Sequence, residues 1–146
     1  MKKISVEQAI NSGSWFDYKD DETVFRVRFV NFRQVQLSEI EHIENIDSTL
    51  PIRDGKLFLL SIELINLSKE ATTGLYISIL DNENCRFDYL DSDYLTRNSD
   101  FARRNKLRSV SFMPKFKYNK DYIYLVPNEE TKYYLSTRFK AILTEI

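Results

Sequence analysis

The amino-acid sequence predicts an all-β fold in which about seven strands form a sandwich or a barrel. The run from Leu57 to Asn66 has an apolar residue at every even position from 58 to 64, which is the period-two pattern of a strand with one buried face. Similar runs recur along the chain between clusters of turn-forming residues. Aromatic residues, which are enriched in strands, make up 14% of the chain.

The chain has the length of one ordinary domain, 146 residues, and shows no repeat or low-complexity tract. We therefore expect a single domain over 1–146, with an N-terminal helix and lead-in at 1–22 and the β-sandwich at 23–143. Ser5 and Gln8 have the spacing of a capping box, Ile4 is placed to pack against Ala9, and Gly13 can end the helix.

The first long strand is predicted over 23–37. One of its faces is expected to carry the apolar residues Phe25, Val27, Phe29, Val35 and Leu37. Asn31 and Phe32 interrupt this alternation as a β-bulge would. The next segment, 38–50, has a second capping-box spacing, so a helical turn or a structured loop competes there with a continued strand.

Six further strands follow, and a turn at Asp54 and Gly55 precedes the first of them. They are predicted at 57–66, 75–79, 85–89, 110–113, 122–126 and 133–143. The polar segment 91–107 is the longest connection, and function tends to lie on such connections. The expected core of the sandwich consists of Phe25, Val27, Phe58, Leu60, Ile62, Leu64, Ile77, Ile79, Leu135 and Phe139.

Three short patterns carry a resemblance to a known family. They are a core strand that ends in Asn-x-Ser (62–68), a strand that runs into an Asp/Asn turn and an aromatic residue (79–87), and a Pro-x-Glu turn before the last strand (126–130). Together they resemble the bacterial telokin-like, immunoglobulin-like domains of unknown function, which are often found in secreted proteins and lipoproteins. The resemblance implies an immunoglobulin-like β-sandwich with no catalytic residues. The chain departs from the family at Asn84, where a glycine is common, and in its basic stretch after Asp91.

Cysteine usage and hydropathy limit the class of protein. Cys85 is the only cysteine, so the chain cannot form an intrachain disulfide, and a disulfide-rich secreted domain is excluded. No stretch approaches the length of about 20 apolar residues that a membrane span needs. Polar residues interrupt the segment 4–13, where a signal peptide would be apolar. We therefore expect a cytoplasmic protein, or a secreted protein or lipoprotein if a leader was removed.

The sequence shows no catalytic, metal or cofactor motif, so we expect neither an enzyme nor a bound cofactor. His42 is the only histidine, which excludes a metal site built from several histidines. Cys85 shares the alternation of Phe87 and Tyr89, so it is read as a small buried apolar residue rather than as a reactive thiol. The acids between Asp81 and 93 could chelate calcium, but the spacing lacks the glycine of a calcium loop and favours a solvated turn.

Basic residues are concentrated in one segment of a chain whose formal net charge is −1. Eight basic residues and one acid, Asp100, lie between Arg97 and Lys120, and such asymmetry indicates an electrostatic face. The candidate binding residues in and beside this segment are Tyr94, Arg97, Arg103, Arg104, Lys106, Arg108, Lys115 and Lys117. Phe101, Phe112, Phe116 and Tyr118 alternate with the cations.

Two binding functions, and one interpretation without a binding function, fit this segment. The first is a non-enzymatic protein–protein interaction module that binds an acidic partner through 91–120, with Tyr94, Arg97, Arg103 and Arg104 as anchors, because tyrosine and arginine dominate interface hot spots. The alternative is a nucleic-acid-binding protein, since phosphates bind cations and bases stack on aromatic rings. The third is a merely solvated face, in which Phe112 and Phe116 belong to the core.

Overall fold

Two five-stranded sheets form the protein in the computed structural model, which describes residues 3–19, 23–40, 52–72, 75–92, 112–129, 131–137 and 143–145. The strands are β1 (Lys3–Ser5), β2 (Trp15–Lys19), β3 (Val24–Val35), β4 (Gly55–Asn66), β5 (Ile77–Asp81), β6 (Arg86–Phe87), β7 (Asp91–Ser92), β8 (Lys117–Pro127), β9 (Tyr133–Thr137) and β10 (Leu143–Glu145). The helices are α1 (Val6–Ser12) and α2 (Leu37–Ile40), and a 3-10 turn spans Ile52–Asp54.

The first sheet has the order β1-β10-β9-β5-β6, and the second has the order β2-β3-β4-β8-β7. Neighbouring strands are antiparallel except for β1 and β10, which run parallel. The predicted all-β sandwich with a short N-terminal helix is confirmed. Strands β1 and β2 lie within the predicted lead-in at 1–22, so both ends of the chain contribute to the sheets.

The N-terminal helix has the caps that the sequence predicts. The Gln8 backbone N–H donates to the Ser5 hydroxyl over 3.0 Å, and the Ser5 N–H donates to the Gln8 side chain over 3.1 Å. Gly13 ends α1 with a left-handed φ of 62° and donates its N–H to Ile10. A glycine adopts this conformation at little cost, which is why the helix stops there.

The core lies between the two sheets. Its buried residues include Phe25, Val27, Leu60, Ile62, Leu64, Ile77, Ile79 and Leu135, as predicted, and Phe58 packs against them while remaining partly exposed. Phe139 lies outside the described residues. Two buried tyrosines of β8 connect the sheets: Tyr122 donates to the Leu75 carbonyl over 3.0 Å, and Tyr124 donates to the Ile77 carbonyl over 2.6 Å.

The predicted bulge in β3 is confirmed, and it overturns the predicted position of Val35. The pairing of β3 with β4 shifts by one residue between Phe29 and Asn31. Because a one-residue shift exchanges the faces of a strand, Phe32 points into the core and stacks on Phe58, with 5.1 Å between ring centroids. Val35 packs instead with Leu57, Leu59 and Ile123 on the outer face of the second sheet.

Several predicted boundaries also change. Leu37 begins α2 instead of extending the strand, so the helical alternative holds for 37–40, whereas 41–50 lie outside the described residues. Residue 112 forms a single bridge with Thr72, while the strand predicted at 122–126 is longer and begins at Lys117. The predicted last strand is described as β9 and β10, with 138–142 outside the described residues.

Gly55 marks a close approach between β4 and β8. A Cβ atom at this position would lie 2.6 Å from Leu125 Cδ1 and 2.7 Å from the Val126 carbonyl oxygen. Only a residue without a side chain fits between these atoms. The Asp54-Gly55 turn signal in the sequence is therefore also a packing requirement of the second sheet.

Candidate functional site

The structure describes two of the eight predicted binding residues. Lys115 lies in the turn before β8, and Lys117 is the first residue of that strand. Tyr94, Arg97, Arg103, Arg104, Lys106 and Arg108 lie outside the described residues. The candidate site is therefore built from the turn around Lys115 and from the residues that hold it in place.

Backbone hydrogen bonds fasten this turn to the loop that follows β4. Thr72 and Phe112 exchange N–H donors across a bridge, with distances of 3.2 Å and 2.8 Å. Asn66 and Pro114 form a second bridge, and the Lys115 N–H donates to the Asn66 carbonyl over 2.8 Å. Two segments that are far apart in sequence thus form one surface beside the end of β4.

The buried side chain of Asn66 reinforces this attachment. Its Nδ2 donates to the carbonyls of Glu70 and Phe112, each over 2.9 Å, and its Oδ1 accepts the Ser68 N–H over 2.8 Å. The Ser68 hydroxyl in turn accepts the Val24 N–H over 2.9 Å. The Asn-x-Ser pattern at the end of β4 therefore joins three segments by hydrogen bonds: the loop that follows β4, the segment around Phe112 and the start of β3. We call this set of hydrogen bonds the clamp.

Three large apolar side chains project from the clamped segments into solvent. Phe116 is 60% exposed, Met113 is 54% exposed, and Leu67 is 41% exposed. Lys115 adopts a left-handed φ of 70° immediately before Phe116, which is uncommon for a residue with a side chain. We call Leu67, Met113, Lys115, Phe116 and Lys117 the basic-apolar patch.

The sequence left open whether Phe112 and Phe116 belong to the core or to a surface, and the structure separates them. Phe112 is buried and packs edge-on against Phe25, with 6.1 Å between ring centroids. Phe116 is exposed between the two lysines. No signal in the sequence distinguishes them, because both follow a polar residue in a segment without regular alternation.

Lys120, which the sequence counted within the basic segment, points into the sandwich. Its side chain is buried, and its ammonium lies 5.2 Å from the ring centroid of Phe112 and 6.0 Å from that of Tyr122. A cation over aromatic faces is attracted by their negative potential. The charge of Lys120 therefore does not belong to the exposed electrostatic face.

An ion-paired row lies beside the basic-apolar patch on the outer face of the second sheet. Arg28 donates to Glu63 over 2.7 Å, and the Lys117 ammonium lies 3.7 Å from the other oxygen of Glu63. The hydrogen bond from Arg28 lowers the pKa of Glu63, and partial burial opposes it. Arg28 also lies 5.6 Å from the centroid of the Trp15 ring. Since 58% of the Lys117 side chain remains exposed, its contact with Glu63 leaves it accessible to a partner.

A cleft of about 670 Å³ opens next to the basic-apolar patch. It is lined by Thr23, Val24 and residues 67–72. Leu67 belongs to both the cleft and the patch. Within the described part of the chain, Lys69 in the cleft and Lys115 in the patch form no ion pair with an acid.

The carboxylate of Asp81 accepts hydrogen bonds from the backbone of the turn that follows β5. Asp81 Oδ1 accepts the N–H groups of Glu83 and Cys85, each over 2.9 Å, and Asn84 takes a left-handed φ of 65°. This geometry supports the solvated turn over a calcium loop, and asparagine replaces the usual glycine because it tolerates this conformation. Across the described residues, no group of three acids, histidines or cysteines is placed to hold a metal ion.

The prediction that Cys85 is buried is wrong. Strand β6 begins at Arg86, so Cys85 lies in the turn and is exposed. The negative charge of Asp81 raises the pKa of the Cys85 thiol, which lowers its reactivity as a nucleophile. His42 lies outside the described residues.

Comparison with solved structures identifies proteins of similar fold and low sequence identity. An uncharacterised β-sandwich protein from Clostridium difficile is 12% identical, with a TM-score of 0.55 over 99% of this chain and 93% of its own. The secreted protein MPT63 from Mycobacterium tuberculosis is 7% identical, with a TM-score of 0.55 over 99% of this chain and 96% of its own. A conserved hypothetical protein from Bacillus anthracis is 15% identical, with a TM-score of 0.51 over 89% of this chain and 91% of its own.

The chain has a β-sandwich fold. At these identities the likeness shows the fold alone. A scan against protein-family models finds no match, and no curated protein matches the chain. Among the described helices, none has the length and apolar composition needed to cross a bilayer.

Proposed function

We propose that this protein is a non-enzymatic protein-interaction module that binds an acidic partner through the region 91–120. Four residues of the basic-apolar patch belong to this region, and Leu67 lies beside them because its neighbour Asn66 forms a bridge with Pro114. The observation that carries the proposal is the exposure of Phe116 between two lysines. A large apolar side chain held in water is favourable to bury against a partner. The flanking cations would select a partner of negative charge and speed its association.

The surroundings of Phe116 support recognition rather than chemistry. Met113 and Leu67 add exposed apolar area beside it. Glu63, whose pKa is lowered, is held between Arg28 and Lys117. Such a set of groups can bind a surface, but it offers no activated nucleophile. We also propose that the domain belongs to the telokin-like, immunoglobulin-like sandwiches of bacteria, which the β-sandwich relatives support.

The same observation supports a second candidate, nucleic-acid binding. A base could stack on the exposed ring of Phe116, and Lys115 and Lys117 could contact the flanking phosphates. The two candidates differ in their response to salt. Because phosphate binding releases condensed counterions, nucleic-acid affinity should fall steeply between low and physiological salt, whereas an apolar contact with a protein should change much less.

Affinity capture tests the proposed function. The tagged protein is incubated with a lysate of its source cells, with and without nuclease, and the captured proteins are identified by mass spectrometry. We expect a stoichiometric partner that survives nuclease and is lost with the double variant Lys115→Glu and Lys117→Glu. The control, Arg53→Glu with Arg86→Glu, makes the same change of charge at exposed positions outside the patch and should retain the partner.

Two outcomes would contradict the proposal. Recovery that disappears with nuclease would make the segment a nucleic-acid site. A partner that is retained equally by both double variants would place the interface elsewhere on the sandwich.

We further propose a cytoplasmic location, which the single, exposed and unpaired Cys85 supports. Fractionation of the source cells, read by immunoblot, should place the protein in the cytoplasmic fraction. Recovery from the medium or from the membrane fraction would contradict the cytoplasmic location.

A further inference from the structure

The basic-apolar patch is preformed. Lys115 holds a left-handed backbone conformation, which is unfavourable for a residue with a side chain and persists only where neighbouring contacts enforce it. Here the Asn66 carbonyl accepts the Lys115 N–H over 2.8 Å, and the Tyr118 hydroxyl accepts the Met113 N–H over 3.0 Å. A surface ordered in advance loses little conformational entropy when a partner binds.

The patch continues into the cleft through Leu67. That side chain is exposed beside the turn and also lines the cleft. The cleft volume of about 670 Å³ falls within the range of roughly 300–1,000 Å³ that is typical of ligand sites. A partner that covers the apolar side chains of the patch can therefore extend into the cleft without a change in the fold.

The lining of the cleft suits a peptide backbone. Ser68 and Thr72, two of its lining residues, carry hydroxyl groups. Because the Ser68 oxygen accepts the Val24 N–H, its own proton remains able to donate to a carbonyl. Hydroxyl groups that donate and accept are adaptable partners for the carbonyl and amide groups of an extended chain.

The charges around the joint surface favour acidic side chains. Lys69, Lys115 and Lys117 are exposed there, against one exposed acid of the cleft lining, Glu70. Lys117 is already 3.7 Å from Glu63, whereas the other two lysines pair with no described acid. Complementary charge would direct an acidic segment to this end of the sandwich.

We propose that the segment recognised here is an extended acidic peptide of a partner protein, which places one large apolar side chain on Leu67, Met113 and Phe116 and continues its backbone into the cleft. This inference rests on the proposed function and specifies the chemistry of the partner. Its acidic residues contact Lys69 and Lys115.

Panning of a phage-displayed library of random dodecapeptides against the full-length protein tests the proposal. We expect the enriched peptides to contain several acids around one aromatic or large aliphatic residue. With a synthetic peptide of the enriched sequence, the dissociation constant should rise about tenfold or more for Phe116→Ala and for Ala71→Trp, because Ala71 lines the cleft and a tryptophan there would obstruct part of it. Ala71→Ser, which keeps the cleft open, and Val30→Ala, which truncates another exposed apolar residue, are the matched controls.

The outcomes distinguish a failure of the cleft proposal from a failure of the proposed function. If Phe116→Ala weakens binding and Ala71→Trp does not, the cleft proposal is wrong, whereas the interaction through the patch still stands. Absence of enriched peptides, or enrichment without acids, also overturns the proposal. Tighter binding of a single-stranded RNA dodecamer that competes with the peptide would assign the surface to nucleic acid.

Discussion

At the scale of single residues, the buried Asn66 side chain connects the end of β4 to two loops. It donates to the Glu70 and Phe112 carbonyls and accepts the Ser68 N–H. Within the sequence, Asn66 is one polar residue at the end of a strand, and its pattern with Ser68 marks only a turn. Its role depends on Phe112, which is 46 positions away, so no local pattern reveals it.

Replacement Asn66→Ala should lower the free energy of unfolding by about 2–4 kcal/mol, because it removes three hydrogen bonds of a buried side chain, and the Phe112 carbonyl then keeps only the bond from the Thr72 N–H. Urea denaturation followed by circular dichroism measures this loss. The control is Asn119→Ala, an exposed position on β8, which should change stability by less than about 0.5 kcal/mol. Equal effects of the two substitutions would show that the clamp contributes nothing specific.

At the scale of the elements, β8 does more than pair with β4. Its inner face carries Tyr122 and Tyr124, whose hydroxyls donate to the carbonyls of Leu75 and Ile77 across the sandwich. Burial raises the pKa of Tyr124 well above its ordinary value. The neutral phenol is therefore part of the contact between the two sheets, and the alternation that predicted the strand could not show it.

The raised pKa of Tyr124 predicts a loss of stability in alkali. Below a pH of about 10, the ordinary tyrosine pKa, the phenol is neutral in both states and its contribution is complete. Above that pH, the unfolded chain loses a proton that the folded chain retains, so stability falls as pH rises. Tyr124→Phe should cost about 1 kcal/mol at neutral pH and should make the decline above pH 10 shallower.

Urea denaturation at a series of alkaline pH values compares the slopes of the two proteins. Tyr18 and Tyr133 also have raised pKa values, so the decline should be reduced in the variant and not abolished. An unchanged slope would mean that Tyr124 ionises in the folded protein.

At the scale of the whole molecule, charge is unevenly distributed over a nearly neutral chain. The sequence alone located the basic segment, because charge is counted residue by residue. It did not show which cations are accessible. The structure removes Lys120 from the exposed face and pairs Lys117 with Glu63, while Lys115 remains without an ion pair to a described acid.

The double substitution Arg103→Glu and Arg104→Glu should abolish capture of the partner and leave the thermal midpoint nearly unchanged, if these residues act by surface charge. Differential scanning fluorimetry and affinity capture measure the two properties. The variant Arg53→Glu with Arg86→Glu has the same net charge and should retain the partner. A large drop in the thermal midpoint would indicate that Arg103 and Arg104 support the fold instead.

The positions of the long strands β3 and β4, the N-terminal caps and the bulge in β3 could be read from the sequence because each depends on residues within a few positions of one another. The short strands β1, β2 and β7 were missed, because they are too short to show an alternation. Alternation assigned Leu60 and Ile62 to the core correctly, since both side chains stay on one side of an uninterrupted strand. The predicted face of Val35 was wrong because one extra residue in β3 exchanges the inner and outer faces of the strand after the bulge. The exposure of Cys85 and Phe116 and the burial of Lys120 depend on where a turn begins and on which distant segments pack beside these residues. Only the tertiary structure determines those contacts.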